Sequence, residues 1–408
     1  MAEMKAGYKQ TDIGVISEDW DIKSYGEVFD FLSTISNSRA DLCFKGDFGY
    51  IHYGDIHTRW ENTLDLSKNE LPELRRDKIK KLPASLRDGD LVMADASEDY
   101  EGIAKTVEVK NIREKKVFSG LHTFLMRDRN SVFSDGIRGY IHEMPVVRRQ
   151  IQKVATGLKV FGVSKNTLKN DQIPVPKPEE QKKIAAALSD VDGLIESLEK
   201  LVAKKRDMKT AAMQQLLTGK KRLPVFGGEW EEKILKEIAP LQRGFDLPKS
   251  QIEKGNIPVA YSNGIMAYHN KAMVKGPGVY TGRSGTIGKV NYIASDYWPH
   301  NTSLWVTTFF DNDPKFIFYL YGFIGFDRFS SGSGVPTLNR NDAHDYRCFI
   351  PHSKEQVAIS TILADMDIEI DALEQRLGKA RSLKTGMMQE LLTGKTRLIK
   401  TDRKQEEA

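Results

Sequence analysis

The 408-residue sequence holds only two cysteines, Cys43 and Cys348, and no Cys-x-x-Cys pair. A disulfide framework and a cysteine-held zinc are therefore not expected, and a reducing compartment is. No run of 18 apolar residues occurs, which argues against a membrane-spanning helix. The stretch Met1 to Asp12 is polar, so no secretory leader is expected, and the cytoplasm is the expected location. There is no Gly-x-Gly-x-x-Gly. The nearest approach to a phosphate loop, at Gly288-Lys289, has Arg283 where the first glycine belongs and Val290 after the lysine. Charge of one sign is barely in excess. Lys and Arg total 61 against 56 Asp and Glu, a net charge of +5, which permits a nucleic-acid partner without demanding one.

What is present is repetition. Val175–Leu223 aligns without a gap on Ile350–Leu398, and 23 of the 49 positions are identical. A repeat of this length outranks any local motif. Each copy opens on Val175-Pro176 or Ile350-Pro351 and closes on Leu-Leu-Thr-Gly-Lys at 216–220 and 391–395. A proline near the start and a glycine near the end bound one long helix per copy. The apolar seam is Ile184, Leu188, Val191, Ile195, Leu198 and Val202 in the first. In the second it is Ile359, Leu363, Met366, Ile370, Leu373 and Leu377. Steps of 4, 3, 4, 3 and 4 keep a narrow stripe on one face, the pattern of a coiled coil. Each helix would be roughly 58 Å long at about 1.5 Å per residue. The other copy is the simplest partner for the stripe.

A second framework piece opens each half: Trp20 with Glu27, and Trp230 with Glu237. Between the framework pieces the sequence varies. The first variable region carries β-rich runs at 49–53, 90–94, 102–105 and 121–125, then helical sequence from Asp135 to Val154. The second has Val279-Tyr280-Thr281, a stretch from Gly285 to Val290, His300 to Val306, and an aromatic helix from Lys315 to Phe326. Ile103-Ala104-Lys105 echoes Ile287-Gly288-Lys289, and Leu121-His122-Thr123 echoes His300-Asn301-Thr302. The expected architecture is α+β: two α/β domains separated by two long helices in an antiparallel coiled coil, with pseudo-two-fold, circularly permuted repetition. Its divisions are residues 1–173, 174–222, 223–348, 349–398 and a polar tail at 399–408. Gly394-Lys395-Thr396-Arg397-Leu398, ahead of that tail, resembles the linker Gly219-Lys220-Lys221-Arg222-Leu223, so the chain reads as circular.

Glu180-Gln181 and Glu355-Gln356, the Leu-Leu-Thr-Gly-Lys helix ends and the opening Tyr8-Lys9-Gln10-Thr11 to Asp19-Trp20 carry a resemblance. So do Ser284–Lys289 with His300–Thr302, and Asp90–Asp95 with Tyr100–Ile103 and Gly120–Thr123. Together they resemble the specificity subunit of type I restriction–modification systems, over all but the last ten residues. The resemblance implies two target-recognition domains, each reading one half of a bipartite, asymmetric site in double-stranded DNA. It implies assembly with two modification subunits that methylate adenine N6, and with two restriction subunits where the complex also cleaves. S-adenosylmethionine, ATP and Mg2+ would then sit on those partners, with no cofactor in this chain. No Asn/Asp-Pro-Pro-aromatic tetrapeptide, which adenine methyltransferases carry, occurs, so no catalysis is expected here. The alternative is a duplicated coiled-coil scaffold that binds proteins and not DNA.

Polar side chains in loops read bases, and Lys or Arg contacts phosphate. The candidates for DNA binding are His57, Arg59, Ser97, Tyr100, Lys105 and His122 in the first domain. In the second they are Asn263, Arg283, Ser284, Lys289, Asn301 and Arg340. The competing reading is that these are solvated loop residues or turn formers, as it is for Gly285 and Gly288. His52 and His57 near Asp55 read as polar surface, not as a metal site. Asp190 with Asp192, and Asp365 with Asp367, do not face one way on a helix and read as solubilising charge. The basic run Lys204-Lys205-Arg206 with Lys209 could follow a DNA backbone or dock a partner.

Overall fold

The computed structural model describes residues 7–331 and 337–399. The chain forms two compact α+β units. Unit 1 takes the chain up to Ser197 and again from Leu377; unit 2 is Leu198–Arg376.

Unit 1 is centred on a five-stranded sheet in the order Phe29–Leu32, Thr123–Asp128, Leu91–Ala94, Thr106–Lys110 and Thr63–Asp65. The first four are antiparallel neighbours and the last joins in parallel. Leu91-Val92-Met93-Ala94 is buried along its whole length. Side chains alternate faces along a strand, and here each face has its own core. Leu91 and Met93 pack with Trp20, Tyr25, Phe29 and Tyr140. Val92 and Ala94 pack with Ile56, Trp60 and Val107. A strand covered on both faces reads as an unbroken apolar run. A smaller sheet adds Phe48–Ile51, parallel to Val117–Ser119.

Unit 2 repeats the plan. Its main sheet runs Leu241–Arg243, Ser303–Val306, Gly278–Gly282 and Val290–Ile293. Its smaller sheet pairs Ile257–Tyr261 in parallel with Trp298–Pro299, and Gly264–His269 adds an edge strand. The framework pieces meet within each unit: Asp21–Ser24 pairs with Gln172–Val175, and Glu231–Ile234 with Arg347–Ile350. One expected strand is absent. Gly102–Lys105 is a turn ahead of Thr106–Lys110. Ala104 there has φ of +57°, and Gly288, likewise two residues ahead of its strand, has +87°. The echoed triplets thus mark a left-handed turn, which alternation of apolar residues cannot reveal.

The long helices are Pro178–Leu216 and Ser353–Leu391, each of 39 residues. The seam has two uses. Ile184 and Leu188 are fully buried in the unit 1 core beside Leu391 and Leu392, and Ile359 and Leu363 in the unit 2 core beside Leu216 and Leu217. Further along, Val191, Leu198, Val202 and Ile370 are buried, while Ile195, Met366, Leu373 and Leu377 are half-buried. Within each unit the start of one helix therefore lies against the end of the other, antiparallel.

Two readings of charge are corrected. Asp192 is not a solubilising group. It pairs with Lys384 at 2.8 Å and accepts the Tyr140 hydroxyl proton. Its counterpart Asp367 accepts from Tyr319 at 2.7 Å and from Lys209. Burial and the adjacent carboxylate push both phenols well above the ordinary tyrosine range. The basic run is also largely spent: Lys205 pairs with Glu369 at 2.6 Å and Arg206 with Glu374 at 2.5 Å. Of the methionines flanking the seam, Met213, Met387 and Met388 pack on the cores and Met208 is exposed.

Each helix opens on a buried Glu-Gln pair. The Gln181 amide donates to the carbonyls of Pro176 and Val132 and accepts from the Ser134 amide at 2.7 Å. Gln356 likewise donates to the Pro351 carbonyl and Asn312, and accepts from the Asp313 amide at 3.0 Å. Glu180 accepts from Trp20 Nε1 at 2.9 Å and from Arg397 at 2.5 and 2.7 Å. Arg397 also donates twice to Asp19, at 2.8 Å each, and to Ser17. Burial would raise the Asp19 carboxyl, but Arg397 and Ser17 outweigh it and hold it below its usual range. In unit 2, Arg222 donates twice to Glu355 at 2.6 Å and lies over the Trp230 ring. The residues just past each helix thus fasten the first turn of the other one.

Unit 1 also buries a histidine. Both ring nitrogens of His142 lack partners among the described residues, and burial drives its pKa down to about 3. The unfolded chain binds a proton below about pH 6.5 that the folded chain excludes, so His142 costs stability as pH falls from there. Asp171, pushed up to about 6 by burial, acts oppositely between about pH 6 and 4. Urea unfolding is expected to show a shallow loss down to about pH 4 and a steep one below, shallower in His142→Phe. Parallel curves for the two proteins would remove His142 as the cause.

Candidate nucleic-acid interface

The candidate residues can be placed by backbone register, because the two units share a sheet. In unit 1 the Asp95 amide donates to the His122 carbonyl at 3.1 Å and the Gly120 amide to that of Ile51 at 3.0 Å. In unit 2 the Arg283 amide donates to the Thr302 carbonyl at 2.8 Å and the His300 amide to that of Ala260 at 2.9 Å. The Thr123 hydroxyl donates to the Gly120 carbonyl, as Ser303 does to that of His300. These bonds superpose Gly120–Thr123 on His300–Ser303. The echo read in the sequence is therefore displaced by one residue: the counterpart of His122 is Thr302, not Asn301. The shared rim consists of the end of one sheet strand, the start of its neighbour, and the end of the central strand of the smaller sheet.

On the unit 1 rim, His57 comes from the helix Tyr53–Thr58, where its Nε2 donates to the Ala96 carbonyl at 2.9 Å. Lys105 donates to the His57 carbonyl at 3.2 Å. His122 is exposed, has φ of +54°, meets Asp95 at 3.3 Å and stands edge-on to Tyr53. Burial raises the Asp95 carboxyl despite that histidine. Ser97 is buried and accepts from the Asp99 amide, which makes it a turn former. Tyr100 donates to the Gln152 carbonyl and packs edge-on against Phe161. Arg59 lies over Trp60 and donates to the Glu70 carbonyl. His57, Lys105 and His122 thus converge; Arg59 and Tyr100 hold other contacts. His52 accepts from the Gly54 amide, and Asp55 takes Arg39 at 2.9 Å, so these groups do not converge with His57 on one point.

On the unit 2 rim, Asn301 donates to Asp246, which Arg243 also approaches at 2.9 Å. The Asn301 amide, more than any other neighbour, holds the Asp246 carboxyl below its usual range. His300 stacks on Tyr261 at 4.2 Å. Arg283 is half-buried, and its Nε is buried without a partner among the described residues. Ser284 bridges to Thr337, and Asn263 is exposed on the turn between two strands. The Ser262 amide reaches Thr302 Oγ1 at 3.3 Å, which brings this turn to the rim. Lys289 and Arg340 are exposed. Lys289 matches Lys105 in place; Arg340 opens a short helix just past Leu338, whose amide donates to the Arg283 carbonyl. Gly285, with φ of +81°, and Gly288 are turn glycines.

Sequence reasoning missed Tyr53, Asp95, Asp246, Tyr261 and His300. Nothing local ties Asp246 to Asn301, 55 residues away. Only the sheet does.

Two like-built rims with unlike polar linings, carried on one duplicated frame, define a class: a protein of two repeated α+β units that differ at one matching edge. Residues 104–204 and 227–380, more than half the chain, match the model of the type I restriction modification DNA specificity domain, and the chain belongs to that family. It is thereby a specificity component, non-catalytic by itself. It is 24% identical over 425 aligned residues to the chain named as the MjaX type I restriction enzyme specificity subunit of Methanocaldococcus jannaschii, covering 96% of this chain and 97% of that one. It is 28% identical to the MjaVIII specificity subunit of the same organism, over 53% of this chain and 49% of the other. The fold is similar to that of the type I S subunit from M. genitalium, with a TM-score of 0.60, 15% identity, and coverage of 91% and 96%.

Proposed function

We propose that this chain reads a bipartite, asymmetric sequence in double-stranded DNA, one half-site per unit, for a type I restriction–modification complex. The observation that carries this reading is the pair of equivalent rims on a repeated frame. Equal backbone with unequal side chains suits two different short sequences read by one mode. His122 and His57 face one half-site; Asn301, Arg283 and Asn263 face the other. Polar side chains of these types hydrogen-bond base edges, while Lys105, Lys289 and Arg340 suit phosphates. The frame would receive two methyltransferase subunits, which bring S-adenosylmethionine, with or without two restriction subunits, which bring ATP and Mg2+. The work would be cytoplasmic.

The test is a map of N6-methyladenine across host DNA with and without this gene. One motif, two short blocks around a fixed unspecified gap, is expected to lose its methylation when the gene is removed. In a host with the partner methyltransferase expressed, an unchanged map would defeat the proposal.

A further inference from the structure

Beside the unit 1 rim lies an open cleft of about 570 Å³, whose walls include Phe31, Thr34, Ser36, His122, Phe124 and Lys165. Its size falls in the roughly 300–1,000 Å³ range of clefts that hold small ligand groups. Phe31 and Phe124 meet edge to face at 6.2 Å and give it an apolar floor. Two ammonium groups crowd the same ring: Lys165 Nζ is 5.3 Å and Lys169 Nζ 5.6 Å from the Phe31 centroid. Lys165 donates to the Phe31 carbonyl at 3.2 Å, a neutral acceptor. Burial, followed by repulsion from Lys169, lowers its pKa.

Such a pair is charge-unbalanced. A ring face attracts each cation but does not neutralise two of them. Hydroxyls, an imidazole and aromatic carbon line the rest of the wall with one carboxylate, Asp95, which His122 meets at 3.3 Å; the two ammonium groups leave the cleft with cationic excess, suited to an anion attached to an apolar ring. Among the described residues of unit 2 this aromatic pair has no counterpart. By strand register Phe31 and Phe124 correspond to Leu241 and Leu304.

We infer that this cleft seats one backbone phosphate of the duplex, with its deoxyribose against Phe31 and Phe124, while Lys165 and Lys169 take the charge. The inference rests on the DNA reading above and makes it asymmetric. Unit 1 seats its phosphate over an aromatic floor, which the matching leucines of unit 2 do not form. Phosphate contacts set register and orientation and carry no sequence information.

The experiment is titration of the full chain with its methyltransferase partner against a random-sequence 40-base-pair duplex, by fluorescence anisotropy, from low to moderate salt. Each phosphate contact contributes about 0.9 to the slope of log affinity against log salt. Lys165→Ala/Lys169→Ala is expected to flatten that slope by about 1 and to weaken binding about tenfold at low salt. Lys165→Arg/Lys169→Arg keeps the charge and is expected to keep the slope, which separates charge from a packing defect. An unchanged slope in the alanine variant, with the wild type binding normally, would overturn the inference and leave the DNA reading intact. Equal loss in both variants would also overturn it. A wild-type complex that does not bind the duplex would defeat the DNA reading, and this inference with it.

Discussion

Replacing Arg397 by alanine is expected to destabilise unit 1 by about 3–5 kcal/mol, the usual cost of removing one partner from a buried ion pair. Glu180 has no exposed side-chain surface, and Arg397 provides two of its hydrogen bonds. Without the arginine, Trp20 Nε1 is its one remaining side-chain donor among the described residues. Asp19 loses its bidentate partner as well. Removing both charges is a different matter, because the penalty lies in the orphaned carboxylate. Glu180→Gln/Arg397→Met is therefore expected to recover most of the loss. Hydrogen exchange on the strands Leu91–Ala94 and Thr106–Lys110, followed in the full chain, would report unit 1 alone. Unchanged protection in Arg397→Ala would show that the bridge is decorative. Arg222→Ala in unit 2 is expected to act in the same direction but less, since Arg222 engages one carboxylate where Arg397 engages two.

The second large effect concerns recognition. Ile195 lies within the helix Pro178–Leu216, close to where unit 1 gives way to unit 2. A proline there removes a helical hydrogen bond and clashes with the carbonyl of Val191, costing about 3 kcal/mol and bending the helix. If the proposed bipartite reading needs a fixed relation between the two units, Ile195→Pro should abolish methylation of the split motif in cells. Ile195→Ala removes packing at a half-buried position but keeps the helix, and should leave the motif methylated. A proline variant that still marks the same motif would refute the idea that the helix measures the gap.

The frame was legible in the sequence because it is written twice. The repeat revealed the helices, their seam and the framework segments ahead of them, and identical residues at equal spacing are hard to misread. The role of Glu180-Gln181 was not legible. A motif shows that residues matter, not that one carboxylate waits for an arginine 217 positions away. The paired aspartates show the same limit. Residues two apart on a helix do face apart, and Asp190 is indeed exposed while Asp192 turns inward. The argument that excluded a catalytic pair was sound, yet it could not see Lys384 on another helix. On the rims, loop chemistry picked out His122 and Asn301. Their partners Asp95 and Asp246 are fixed by strand register, which the sequence echo misplaced by one residue.

The bridges between helix ends also fix an order of completion during synthesis. Unit 2 is one unbroken segment, and both Arg222 and Glu355 lie within it. Unit 1 is interrupted, and Leu391, Leu392 and Arg397 reach it only after the whole of unit 2 has been made. Domains emerging from a ribosome generally fold in the order in which they are made. Here the domain that emerges first cannot finish. Ile184 and Leu188 lack their helical cover, and Glu180 its counter-ion, until residues 391–397 have been translated. The second domain is complete before the first, and the nascent first domain carries uncovered apolar surface for as long as its partner segment takes to appear.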